Sequence, residues 1–337
     1  MQTHPLTIDA HQAVVDFSAA GRRFALAVVM RTSGSTPRKA GTKALLGEDG
    51  SIWGTIGGGL LEFEARRRAV EAIRTGRAVL YDFPFSGTDA AEGEPVCGGT
   101  MRLLIDPSAG RHRQAYAAAA EARRLRRRGT LVTAVRETPE TVTDVRWYPA
   151  EQAHVIDDEP DALVEPIVPD PLLVIVGGGH VAQALAWQAD LVGFDLLVVE
   201  DRPEYARPDL FPPRAEVRCG DAAGILAGMS LDEETYVALV SRGHLTDAKA
   251  LAACIDKPCR YIGMMGSRRK AALLRQDFLR RGLATAEQFD RVHAPIGLDL
   301  GGRTVPEIAA GIVAELIAAR YQRRTPAARD ETEAARP

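Results

Sequence analysis

Residues 172–186 read LLVIVGGGHVAQALA, an apolar run that breaks into three glycines and resumes in an Ala-rich helical pattern. Gly177, Gly179 and Ala182 stand in a G-x-G-x-x-A arrangement, directly after a strand and at the start of a helix. The first Gly permits the tight turn, the second lets a pyrophosphate approach the backbone, and the small third residue lets helix pack close to sheet. Glu200 and Asp201 then close the next strand, LLVV (196–199), where such folds hydrogen-bond a ribose. Close helix packing alone also asks for such a turn, so the pattern speaks for the fold and leaves the ligand open.

Downstream, short apolar strands alternate with helices. EVRC (216–219), YVALV (236–240) and YIGMM (261–265) read as strands, with helices near 221–228, 246–254, 267–281 and 305–320. That alternation implies a parallel sheet covered on both faces. Upstream the pattern differs. A helix over 7–20, with Thr7 or Asp9 to cap it, precedes the continuous apolar strand FALAVVM (24–30). KALL (43–46) and SIWGTI (51–56) flank a Glu-Asp-Gly turn and read as a hairpin. LEFEARRRAVEAIRTG (61–76) is helical and stops at Gly76; MRLLI (101–105), a helix over 113–128, LVTAV (131–135) and TVTDVRWY (141–148) follow. The expected class is therefore α/β: an N-terminal mixed α/β domain over 1–149, a Pro- and acid-rich linker over 150–170, a C-terminal Rossmann-type parallel-sheet domain over 171–323, and a flexible tail over 324–337.

At 337 residues the chain exceeds what one core usually serves, which favours two domains. A formal net charge of -3 gives no overall attraction to nucleic acid or anionic membrane, so any bound anion must meet a local cluster. The start, MQTHPLTIDAHQAVV, lacks the order of a secretory signal, and no apolar run approaches a membrane span. A cytoplasmic location with free thiols is expected. Cys97, Cys219, Cys254 and Cys259 form no C-x-x-C pair. Cys219 in a strand and Cys254 on an apolar helix read as core residues, while Cys259 beside Pro258 stays undecided.

Several loops carry residues suited to binding. SRGHLTD (241–247) closes the fourth strand of the second sheet, which in such a sheet lies beside the Gly177 turn, so Arg242 and His244 would face the same crevice as His180. In YIGMMGSRRKAALL (261–274), Arg268, Arg269 and Lys270 crowd the first turn of a helix opened by Gly266 and Ser267, opposing its dipole. A bound phosphate would reverse that sign; a solvated basic face is the alternative. HAPIGLDLGGRTVPE (293–307) holds His293 and Asp299 in a Gly- and Pro-rich loop, with Thr304 and Glu307 as a capping box. In the first half, RTSGSTPRKAGTK (31–43) offers Ser35, Thr36 and Arg38, and GTIGGGLLEFE (54–64) places Gly57, Gly58 and Gly59 at a helix start; the charge of Glu62 is accounted for by that first turn. Cys97 precedes Gly98 and Gly99, neighbours without side chains to shield its thiol.

GSTPR (34–38), GTIGGGLLE (54–62), CGG (97–99), VGGGHVA (176–182), SRGH (241–244), YIGMMGSRRK (261–270) and HAPIGLDLGG (293–302), in this order, resemble the xanthine dehydrogenase accessory (XdhC/CoxI) family. The resemblance covers about residues 12–320. It implies a maturation factor that binds the molybdenum cofactor, as molybdopterin or its nucleotide form, protects it while a cysteine desulfurase supplies its terminal sulfur, and delivers it to a xanthine or carbon monoxide dehydrogenase-like molybdenum hydroxylase. A homodimer without nucleic acid or membrane contacts is expected. On this reading Ser35, Thr36, Arg38, Gly57, Gly58, Gly59, Gly98, Gly99, Gly177, Gly179, His180, Ala182, Glu200, Arg242, His244, Gly266, Ser267, Arg268, Lys270, His293 and Asp299 become cofactor contacts, with Cys97 the functional thiol and a molybdenum contact. Ser241 stands where Thr is expected and Glu200 where Asp is expected, which puts the ribose contact in doubt. Two other readings share the same features. One is an NAD(P)-dependent oxidoreductase, which lacks an evident Tyr-x-x-x-Lys pair; the other is a scaffold that holds no cofactor.

Overall fold

The computed structural model describes residues 8–85, 98–137, 140–155 and 161–322. The chain divides into two compact units, Met1–Pro169 and Asp170–Pro337. Cys97 and the tail expected over 324–337 lie outside the described residues.

The first unit is organised by β1 (Phe24–Ser33), the middle strand of an antiparallel five-stranded sheet. Its neighbours are β2 (Lys43–Gly47) and β5 (Thr100–Asp106), with β3 (Ile52–Gly54) and β4 (Val79–Pro84) at the edges. Successive side chains of a strand point to opposite faces. Ala25, Ala27 and Val29 pack against α2 (Gly59–Thr75), while Phe24, Leu26 and Val28 join a second core with residues of α1 (Ala10–Ala19) and α3 (Arg113–Arg124). Burial on both faces is why FALAVV is apolar without alternation. Asp9 caps α1 by accepting from the His11 and Gln12 amides, and Gly76 ends α2 in the left-handed region at φ 70.

A second antiparallel sheet has β6 (Gly129–Arg136) between β7 (Val142–Pro149) and β8 (Leu163–Ile167). Here the linker expected over 150–170 requires correction, because β8 is part of the first unit. Leu163 and Ile167 are buried in its core, and Pro166 is tolerated because β8 is an edge strand. The helix expected over 113–128 is also shorter, ending at Arg124.

The second unit is a six-stranded parallel sheet: β9 (Leu172–Val176), β10 (Asp195–Glu200), β11 (Glu216–Cys219), β12 (Thr235–Leu239), β13 (Tyr261–Met264) and β14 (Val292–His293). Their spatial order is β11-β10-β9-β12-β13-β14, so strand order reverses between β9 and β12. That is the topological switch point of a Rossmann sheet. Residues of α4 (His180–Leu191) and α9 (Val305–Gln322) join the core on one face; α5 (Ala222–Gly228), α6 (His244–Ala252) and α7 (Arg268–Arg280) contribute to the other. A five-residue α8 (Ala286–Asp290), held by a complete Thr285–Gln288 capping box, leads into β14. No helix among the described residues is long and apolar enough to cross a membrane.

Candidate functional site

In the first unit three glycine-bearing loops meet. A side chain at Gly34 would lie 2.9 Å from the Gly98 carbonyl oxygen, and one at Gly99 would lie 2.3 Å from that of Ser35. The chain just before β5 therefore runs directly against the loop after β1. Gly57 closes the group, since a methyl there would reach within 2.9 Å of the Pro37 ring. Ser35 and Arg38 are exposed beside this junction, and Thr36 donates to the Arg38 carbonyl. Cys97 is next in sequence to Gly98, just outside the described residues.

Glu62 does more than supply charge to the first turn of α2. Its Oε1 accepts from the Thr55 hydroxyl at 2.6 Å and from the Ile56 and Gly58 amides at 3.2 and 3.0 Å. Burial alone would raise its pKa, but these donors together hold it below the usual value. Two amides of the glycine turn are thus already occupied by a carboxylate of the chain itself. Thr55 takes a third, from Gly57.

In the second unit, the turn after β9 and the loop after β12 touch across the switch point. A side chain at Gly177, where φ is 115, would stand 3.0 Å from the Ser241 backbone. Gly178 faces Tyr205 and Glu200. Glu200 is 4% exposed; its carboxylate accepts the Gly178 amide at 2.6 Å and both the Nε and Nη2 of Arg202 at 2.9 Å. Burial works against ionisation, yet the Arg202 and amide hydrogen bonds outweigh it and hold Glu200 at about 2. Asp201 beside it is exposed and pushed upward by its hydrogen bond to Glu200. The acid expected to meet a ribose is therefore turned inward to fix the glycine turn. Ala182 is fully buried under the sheet, and His180 is exposed on the first turn of α4.

Asp247, which sequence pattern alone does not single out, is 1% exposed on the first turn of α6. Its Oδ1 accepts the Ser241 hydroxyl at 2.6 Å, and its Oδ2 faces the Lys270 Nζ at 3.6 Å. Burial pushes its pKa up, opposed by Ser241 and Lys270. Lys270 also lays its aliphatic stem over Gly266. Of the three cations that open α7, Lys270 is therefore drawn inward, whereas Arg268 and Arg269 are exposed. Ser267 caps the helix by accepting the Lys270 amide at 3.2 Å. An acid six residues after the Ser of a switch-point loop, at a helix start, was the available signal for this contact.

Arg268 also borders a cleft of 710 Å³, whose other walls come from Pro295–Leu300, Gly302 and the start of α9. Glu315 of α9 fastens that loop, accepting the Gly297 amide at 2.7 Å and the Tyr261 hydroxyl and facing His293 Nδ1 at 2.8 Å. Asp299 accepts the Gly301 amide, and Glu307 accepts the Arg303 and Thr304 amides as the expected cap partner. His293 and Asp299 thus have partners within their own loop and helix. Arg242 is exposed, and α6 begins at His244, two residues earlier than expected. Among the described residues no three His, Cys, Asp or Glu side chains are grouped to hold a metal ion.

One sequence expectation about thiols fails. Cys219 is exposed at the end of edge strand β11, with its Sγ 3.9 Å from the Asp201 carbonyl oxygen. β11 is an edge strand, paired only with β10, and its residues are exposed or half-buried along its length. Cys254 and Cys259 are buried; burial pushes the Cys254 thiol far up and that of Cys259 to about 11.

The fold and these loops define a two-unit α/β protein whose second unit is a Rossmann sheet with glycine-rich and basic loops beyond its carboxyl edge. Residues 17–84 match the XdhC and CoxI family and residues 173–316 match the XdhC Rossmann domain. The chain belongs to the XdhC and CoxI family. It is 27% identical over 297 residues to the uncharacterized protein YqeB of Escherichia coli K12, a match that takes in 87% of this chain but only 43% of that protein. It is 23% identical over 317 residues to a probable xanthine dehydrogenase subunit of Bacillus subtilis 168, covering 88% of this chain and 92% of that one. Identity is 24% over 322 residues to the molybdenum cofactor insertion chaperone PaoD of Escherichia coli K12, with 93% and 89% covered. A crystal structure described as a xanthine dehydrogenase from Bacillus halodurans shares the fold, with a TM-score of 0.81 at 23% identity over 95% of this chain and 98% of that one.

Proposed function

We propose that this protein is a maturation factor for a molybdenum hydroxylase, which binds the molybdenum cofactor, shields it during sulfuration and hands it to the apoenzyme. The observation that carries the reading is the state of Gly98 and Gly179. Neither has a positive φ, and among the described residues a methyl at either would meet nothing within 4 Å. Neither backbone conformation nor packing among the described residues asks for glycine there. What remains is space for a ligand to approach the chain, next to Cys97 in one unit and at the switch point in the other. The match to PaoD, named as a molybdenum cofactor insertion chaperone, names the cargo that would use such space.

In the first unit Cys97 would offer a soft thiolate to the metal or its sulfur; the second unit, taken by itself, offers the exposed Arg268 to a phosphate. A cysteine desulfurase and a xanthine or carbon monoxide dehydrogenase-like client are the partners on this reading, met in the cytoplasm by a homodimer. The nicotinamide alternative loses support at Glu200, whose oxygens are taken up by Arg202 and the Gly178 amide rather than left for a ribose. The deciding experiment incubates the protein with molybdenum cofactor, re-isolates it, and measures molybdenum, pterin fluorescence and activation of an apo-hydroxylase. Retention of both metal and pterin with client activation is expected. Micromolar NADPH binding with hydride transfer and no pterin retention would overturn the proposal.

A further inference from the structure

The geometry points to Asp247 as a residue that restrains anion binding at the start of α7 by holding Lys270 inward. This rests on the reading that the start of α7 meets a phosphate. Asp247 is 1% exposed, and its Oδ2 is buried with no hydrogen-bond partner among the described residues. That oxygen faces the first turn of the thirteen-residue α7, 3.6 Å from the Lys270 ammonium. A distance of this size is an ion pair without a direct hydrogen bond, so the pair is held by charge and leaves Lys270 able to turn outward. Lys270 is itself 25% exposed along its side chain, which gives it a route to solvent.

The other oxygen of Asp247 is committed. Ser241 donates to it at 2.6 Å, and the Asp247 amide donates to the Gly243 carbonyl at 3.0 Å, so the carboxylate cannot follow Lys270. Ser241 is in turn the residue on whose backbone Gly177 rests. A phosphate arriving at the α7 amides, beside Arg268 and Arg269, would compete with a fixed carboxylate for a mobile ammonium. In the free protein the competition favours Asp247, and the helix start presents two cations rather than three. A bound phosphate recruits the third.

This arrangement makes a prediction opposite in sign to that of a merely structural role. Asp247→Asn keeps an acceptor for Ser241 but releases Lys270, so it should tighten binding of inorganic pyrophosphate. At low ionic strength, isothermal titration should show a gain of about two- to fivefold, the scale of one partly exposed ion pair. In the Lys270→Met background, the same Asp247→Asn change should give no gain beyond that from removing a negative charge at long range. Weaker or unchanged pyrophosphate binding by a folded Asp247→Asn protein would overturn the inference. Should that variant not fold, Lys270→Met reads the same contact. It deletes a cation and leaves Asp247 uncompensated beside the anion, so it should weaken pyrophosphate binding more than Arg269→Met does, and equal losses would overturn the inference. If pyrophosphate binds to none of these proteins, both the restraint and the phosphate reading of α7 fail. Pterin and molybdenum retention would still report separately on the cofactor reading.

Discussion

Arg268 and Lys270 sit two residues apart in sequence and differ in what they can do. Lys270 is spoken for by Asp247, whereas Arg268 is exposed at the edge of the 710 Å³ cleft. Arg268→Glu should therefore weaken cofactor retention while shifting unfolding stability by no more than about 0.5 kcal/mol, the usual range for an exposed side chain. Unchanged retention, insensitive to salt, would make the cluster a solvated face. The thiols separate in the same way. A thiolate is the reactive form, so burial that raises the pKa of Cys254 and Cys259 should leave both unlabelled by iodoacetamide in the native protein, while exposed Cys219 reacts. On the functional reading Cys97 also reacts and is shielded when cofactor is bound. Peptide mass mapping reads all four at once. Cys219 reacting as fast with cofactor as without, and Cys97 losing its reactivity, is the expected pattern; the reverse would remove Cys97 from the site.

At the level of elements, Gly98 and Gly99 give a matched pair of substitutions. A methyl at Gly99 would lie 2.3 Å from the Ser35 carbonyl oxygen and 2.5 Å from that of Ser33, so two stretches of backbone must separate. Gly99→Ala should cost roughly 2–3 kcal/mol in urea unfolding, the scale of overpacking that rotamer changes cannot relieve. Gly98→Ala meets open space among the described residues and should unfold like the wild type while retaining less cofactor. The glycine turns were legible because strand, turn and helix start follow one another in sequence. The strands β9, β10, β12 and β13 were equally plain, since burial on both faces demands uninterrupted apolar runs. The elements that escaped are those whose sequence pattern is weak. β4 is partly exposed along its length, β14 has two residues, and β8 hides among prolines as an edge strand. Contacts such as Asp247 with Lys270, or Glu200 with the Gly178 amide, depend on which strand ends meet, and periodicity carries no information about that.

For the molecule as a whole, the response to acid should be set in its upper range by one residue of the first unit. His11 is 8% exposed, and neither ring nitrogen has a hydrogen-bond partner among the described residues. Burial first, then the positive charges of Lys43 and Arg123, hold its pKa well below the ordinary value. Lys43 is itself buried in an ion pair with Glu165 that joins β2 to β8, so the positive charge beside His11 is built into the fold. The unfolded chain takes up a proton at His11 near pH ~6.5 while the folded chain does not. Stability contributed by this group is therefore fully present above about pH 6.5 and falls as the pH drops below it, at up to about 1.4 kcal/mol per pH unit, until the folded-state pKa is reached. Carboxylates with lowered values, such as Glu62 and Glu200, act with the same sign but only below about pH 4.5, where their unfolded forms protonate. Between about pH 6.5 and about pH 5 the slope in the first unit should thus belong to His11. A leucine in its place has no nitrogen to leave unsatisfied and no proton to gain, so His11→Leu should flatten this limb of the urea-midpoint profile without lowering the plateau above neutrality by more than about 1 kcal/mol. An unaltered slope in His11→Leu would show that another group sets the acid limb and that the imidazole is solvated in the native protein.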